Sequence, residues 1–109
     1  MTADGESLFE TLADTAAGTE DGVARGKMMS SPGITYRGKV YAFFWRGRMT
    51  FRLGKGFVPE DHGVTEWQYL SPFKNKPPMT GWYTVSETHM DRWGDLADLA
   101  LKAMRAELG

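Results

Sequence analysis

Residues 34–53 read ITYRGKVYAFFWRGRMTFRL, and the parity of their apolar side chains decides the fold. A two-residue loop at Arg46-Gly47 sets Trp45 opposite Arg48. Counting back, Phe44 meets Met49, Ala42 meets Phe51 and Val40 meets Leu53. Side chains alternate along a strand, so these pairs share one wholly apolar face. Tyr41 with Arg52, Phe43 with Thr50, and Trp45 with Arg48 share the other. A slip of one residue would put Arg48 and Arg52 among the apolar residues, so the hydrophobic pattern fixes the register. At the earlier Arg-Gly pair, a three-residue loop Tyr36-Arg37-Gly38, with Gly38 in the left-handed position, sets Thr35 opposite Lys39 and Ile34 opposite Val40. The reading predicts an antiparallel sheet with Phe44, Phe51 and Leu53 in the core, covered by Leu12 and Met104.

The flanks supply those covers. Leu8, Phe9, Leu12, Ala13 and Ala16 recur at helical spacing and predict a helix over residues 4–17, capped by Asp4 or Thr2 and ended at Gly18. Residues 23–29 predict a strand, and SSPG at 30–33 predicts a turn. Residues 54–64 and the proline-rich SPFKNKPPM at 71–79 read as loops around a short strand at 66–70. Residues 81–85, GWYTV, predict a last strand. From Asp91, the stripe Trp93, Leu96, Ala97, Ala100, Met104 and Leu108 predicts a closing helix, with Thr88 and Asp91 as a capping box. The order helix, antiparallel strands, helix predicts an α+β two-layer fold, with both terminal helices on one face of the sheet, in a single domain over residues 1–109.

Composition narrows the function. The chain has no cysteine, which excludes disulfides, thiolate metal sites and a cysteine nucleophile. Its formal charge of −1 gives no global field toward nucleic acid or anionic lipid. The acidic start MTADGESLFE lacks the basic and apolar regions of a signal peptide, and no apolar run reaches membrane-spanning length. A cytoplasmic protein without membrane association is expected.

The chemistry-bearing residues favour binding over catalysis. His62 lies in PEDHG beside Glu60 and Asp61, and with His89 it is the one candidate for a metal, but neither histidine has a ligand at helical metal-site spacing. Ser, His and Asp occur without a G-x-S-x-G elbow, and GKG at 54–56 opens onto Phe57-Val58-Pro59 rather than a helix, which no P-loop does. No cofactor, metal or catalytic residue is expected. Tyr41, Phe43, Trp45, Arg48 and Arg52 form a candidate interaction face, since Tyr, Trp and Arg dominate interface hot spots. The same mixture stacks bases and neutralises phosphates, although no RNA-binding signature accompanies it. Trp67, Trp82 and Trp93, with Trp45, are candidates to line a small-ligand pocket.

GVARGKMMSSPGITYRGKVYAFFWRGRMTFRL, followed by PPMTGWYTV and DRWGDLADLALKAM, resembles the TfoX N-terminal-domain-like family, with some similarity to MmcQ/YjbR-like proteins. The shared order is a basic-Gly-Lys-Met turn, Gly-Lys, an aromatic strand, Gly-Arg, a Pro-Met-x-x-Trp strand and a Trp-containing closing helix. Here Met29 and Ser30 stand where the family often has an aromatic residue and a glycine. The resemblance implies an α+β sandwich akin to secretion-chaperone-like folds and a link to regulators of natural competence. Those regulators carry a second, helical domain, which is not expected here, and the family supplies no catalytic residues to transfer. The leading expectation is therefore a non-enzymatic protein-interaction or regulatory accessory domain, binding an unknown protein or itself as a homodimer. The alternatives are a small-ligand-binding domain with a tryptophan-lined pocket and, behind it, a nucleic-acid binder.

Overall fold

A computed structural model describes residues 5–28, 30–71 and 77–108. Helix α1, Gly5–Thr19, leads into strands β1 (Val23–Met28), β2 (Ser31–Tyr36), β3 (Lys39–Trp45) and β4 (Arg48–Arg52). A 3-10 turn at Pro59–His62 precedes β5 (Trp67–Leu70) and β6 (Met79–Val85), and helix α2, Met90–Leu108, closes the order. The strands form one six-stranded sheet in the order β1-β2-β3-β4-β6-β5, antiparallel at every pairing. Both helices pack on the same face, α1 over β1, β2 and β4, and α2 over β2, β3 and β4. The architecture is α+β, as the parity of residues 34–53 predicts.

The core lies between sheet and helices. Phe9 and Ala13 from α1, and Trp93, Leu96, Ala100 and Met104 from α2, meet Ile34, Ala42, Met49, Phe51, Tyr83 and Val85 from the sheet. Of the predicted core, Phe51, Leu53 and Met104 are buried, while Phe44 and Leu12 are half-buried and pack against it. Helix α1 starts close against α2. A Cβ on Gly5 would lie 2.9 Å from the Trp93 ring, and the Gly5 backbone N–H donates to Glu87 Oε2 at 3.1 Å.

The second hairpin keeps the register read from the sequence, with Trp45 opposite Arg48, Phe44 opposite Met49, and Ala42 opposite Phe51. The first does not. Arg37 and Gly38 alone make the turn, with φ of 51° and 83°, so Tyr36 pairs Lys39 and Thr35 pairs Val40. Two consecutive residues at positive φ give the turn whose twist matches the flanking strands. The residue thereby left over is absorbed one step on. Ile34 pairs Ala42, and Tyr41 is the extra residue of a β-bulge. The bulge turns Tyr41 into the core in place of Val40.

Other differences are local. SSPG is not a turn. Only Ser30 lies in a turn, at φ 75°, and Ser31 to Gly33 belong to β2. Pro32 lies just past the β2–β3 pairing, where one side of the strand has no neighbour to miss its N–H. Helix α1 continues through Gly18 to Thr19, and the caps proposed at Asp4 and Thr2 lie outside the described residues. At the start of α2 the Ser86 hydroxyl, not a Thr88–Asp91 box, accepts from the Thr88 backbone N–H. Among the described residues, no helix is long and apolar enough to cross a membrane.

Candidate cleft on the helix-free face of the sheet

The face of the sheet turned away from the helices carries the outward residues of the central strands. From β3 these are Phe43 and Trp45; from β4, Arg48 and Thr50, opposite them in register. From β6 comes Thr84, which pairs Thr50, and from β5 comes Gln68, which pairs Thr84. All of these but Thr50 join Ser31, Arg46, Tyr69, Leu70 and Ser71 in lining a cleft of about 490 Å³. Its floor is polar but satisfied: the Thr50 and Thr84 hydroxyls lie 2.9 Å apart. Phe43 is buried, 2 % exposed, and its ring sits 6.1 Å from that of Trp82. Trp45 stands at the mouth, 52 % exposed, with the Arg46 guanidinium 4.4 Å from its ring centroid. That stacking compensates a residue held at φ 51°, where a side chain is rarely accommodated.

The residues singled out from the sequence separate in space. Phe43, Trp45 and Arg48 come together in the cleft. Tyr41, expected beside them, lies in the core at 1 % exposure because of the bulge, and burial pushes its hydroxyl pKa up to about 12. Arg52 leaves the face for α2, where its guanidinium donates to Glu107 Oε1 at 2.9 Å and to the Met104 sulfur at 2.8 Å. That ion pair raises the Arg52 pKa and lowers that of Glu107.

The tryptophans named for one pocket stand in different places. Trp93 is fully buried among the helix-side core residues. Trp67 packs on Tyr69 and Tyr83, and its indole N–H donates to Glu60 Oε2 at 2.9 Å, which lowers the Glu60 pKa. Trp82 borders a smaller groove with Arg52, Lys55 and Glu107. The two histidines also part. His62 stacks on Phe57 at 4.8 Å. His89 Nε2 accepts the backbone N–H groups of Thr65 at 3.1 Å and Glu66 at 3.0 Å, which anchors the entry to β5 on the start of α2.

Gln68, Tyr69, Leu70, Ser71 and Thr84 complete a cleft that the hairpin parity alone does not reveal. They reach it because β6 inserts between β4 and β5, an order that no local signal in the sequence encodes. Arg46 carried a usable signal, since it sits in the turn that follows the aromatic strand. The lining contributes aromatic rings, two guanidinium groups, hydroxyls and an amide, and no carboxylate, imidazole or amine among the described residues. Those are groups that recognise and orient a ligand. Comparison of the chain with protein-family models, with curated proteins and with solved structures finds no match.

Proposed function

We propose that the chain is a non-enzymatic ligand-binding domain whose site is the cleft on the helix-free face. The observation that carries this reading is Trp45, more than half exposed at the mouth of a cleft of about 490 Å³ that Phe43 also lines. Exposed tryptophan is costly to leave against water, and small-molecule sites are concave, mostly apolar volumes of about 300–1,000 Å³ with a few placed polar groups. Hydroxyls are present, but among the described residues no imidazole or carboxylate lines the cleft to activate them, which supports binding rather than turnover. Trp45, Phe43 and Arg48 replace the set Trp67, Trp82 and Trp93 as the candidate pocket residues.

A second reading rests on the exposed rim. Tyr69, which lines the cleft, is exposed like Trp45, and such aromatic residues around a cleft suit capture of a protein partner or a second copy of the chain. In that case the cleft receives one side chain of the partner. The resemblance to TfoX N-terminal-like domains belongs with this reading. It rests on motif order and on the succession helix, antiparallel sheet and Trp-containing helix, and it points to an accessory role.

The two readings separate in one pair of measurements. A small-molecule thermal-shift screen on the wild-type chain is expected to raise Tm, and Trp45→Ala is expected to abolish the shift while leaving the unliganded Tm nearly unchanged. Sedimentation of the same two proteins tests the second reading. Concentration-dependent association that Trp45→Ala removes, with no ligand in the screen, would replace the first reading by the second.

A further inference from the structure

We infer that the cleft selects an organic anion, an aromatic group bearing a carboxylate or a like acid, with Arg48 as the residue that meets the charge. The inference rests on the cleft being a ligand site and names what the ligand must carry.

The first support is how arginine is used across the molecule. Arg25 bridges Glu10 and Asp14, Arg52 takes Glu107, Arg92 faces Asp91, and Arg105 takes Glu20. Arg37 and Arg46 stack on Tyr36 and Trp45. Among the described residues, Arg48 alone of the arginines has neither a carboxylate nor a ring partner, and it lines the cleft. A guanidinium with a free planar fork is built to take a carboxylate through two parallel hydrogen bonds.

The second support is the cleft's charge. Arg46 and Arg48 both line it, and no acid does so among the described residues. The chain as a whole is slightly acidic, with a formal charge of −1, so this local excess of positive charge is a property of the site and not of the surface at large. Arg48 lies directly opposite Trp45 across the β3–β4 hairpin. A ring stacked on Trp45 would thus hold an attached acid group within reach of Arg48, with Gln68 and Thr84 as further donors on the floor. A free amine or a neutral ring would gain the stacking without the charge-assisted bond.

The test uses the full chain and three probes of one shape: 2-naphthoate, 2-naphthol and 2-naphthylmethylammonium, titrated against tryptophan fluorescence. Naphthoate is expected to bind at least about tenfold more tightly than naphthol, as one charge-assisted hydrogen-bonded pair implies, and the ammonium is expected to bind weakest. Arg48→Gln is expected to bring naphthoate to the level of naphthol without moving naphthol. Arg48→Lys is expected to restore part of the preference. Arg48 is exposed, so a circular-dichroism melt close to the wild type should accompany each variant. Equal binding of naphthoate and naphthol overturns the anion preference and leaves the cleft as a site. Preferred naphthoate binding that survives Arg48→Gln overturns the role of Arg48. Failure of all three probes overturns both the preference and the site.

Discussion

Trp93 is fully buried, and its indole N–H is the one buried side-chain donor or acceptor without a hydrogen-bond partner among the described residues. A buried N–H without an acceptor forfeits its hydration and gets nothing back. Trp93→Phe removes that cost while keeping most of the ring, so its expected destabilisation in urea melts is about 1 kcal/mol. Trp93→Ala, which empties the site, is expected to cost about 3–5 kcal/mol. A Phe variant as damaged as the Ala variant would mean that the N–H has a partner. Tyr41 gives a second residue-scale expectation. Its hydroxyl titrates near 10 in the unfolded chain and at about 12 in the fold, because burial disfavours the phenolate. The folded state then holds a proton that the unfolded state has lost, so stability falls as pH rises above about 10 and levels off near 12. The loss is on the order of 3 kcal/mol. Tyr83 is shifted the same way by burial, so Tyr41→Phe should recover part of the alkaline loss and leave stability at neutral pH nearly unchanged. An alkaline stability profile identical in the Phe variant would place the titration elsewhere.

At the scale of elements, the hairpin of β3 and β4 was legible because an apolar residue at the wrong parity would have had no core to enter. The preceding hairpin was not, because a three-residue loop and a two-residue loop followed by a bulge account for the same residues, and only the choice between them decides whether Val40 or Tyr41 turns inward. The strand character of Ser31 to Gly33 was hidden for a related reason. Ser, Pro and Gly read locally as a turn, yet pairing with β1 holds all three extended, and the aromatic strand pairs Gly33. Close pairing of β1 and β2 makes a further expectation. A Cβ on Gly26 would lie 2.5 Å from Thr35 Cγ2, and the Thr35 hydroxyl is tied to the Ala24 carbonyl at 3.1 Å. The branched side chain therefore has little freedom to yield. Gly26→Ala is expected to cost about 1–3 kcal/mol, and adding Thr35→Ser, which deletes the clashing methyl, should restore most of it. Simple additivity in that double-mutant cycle would contradict the contact.

For the whole molecule, one face of the sheet is packed against both helices, and the proposed site lies on the other. Phe51, at the centre of the helix side and fully buried, should cost about 3–5 kcal/mol as Phe51→Ala, measured by denaturant unfolding. A loss under about 1 kcal/mol would mean that the helices cover a different face. On the opposite side, the sequence supplied Phe43, Trp45 and Arg48, while the strand order supplied the rest of the cleft. The four tryptophans report on this division, because Trp45 stands at the cleft, Trp82 beside Phe43, Trp67 over Tyr83 and Trp93 in the core. The most direct measurement is a titration of the 15N-labelled chain with 2-naphthoate, followed by the four indole N–H resonances. The expected result is a saturable shift of the Trp45 signal, a smaller one for Trp82, and none for Trp67 or Trp93. A stationary Trp45 signal, whether or not another indole moves, would contradict the assignment of this cleft as the site.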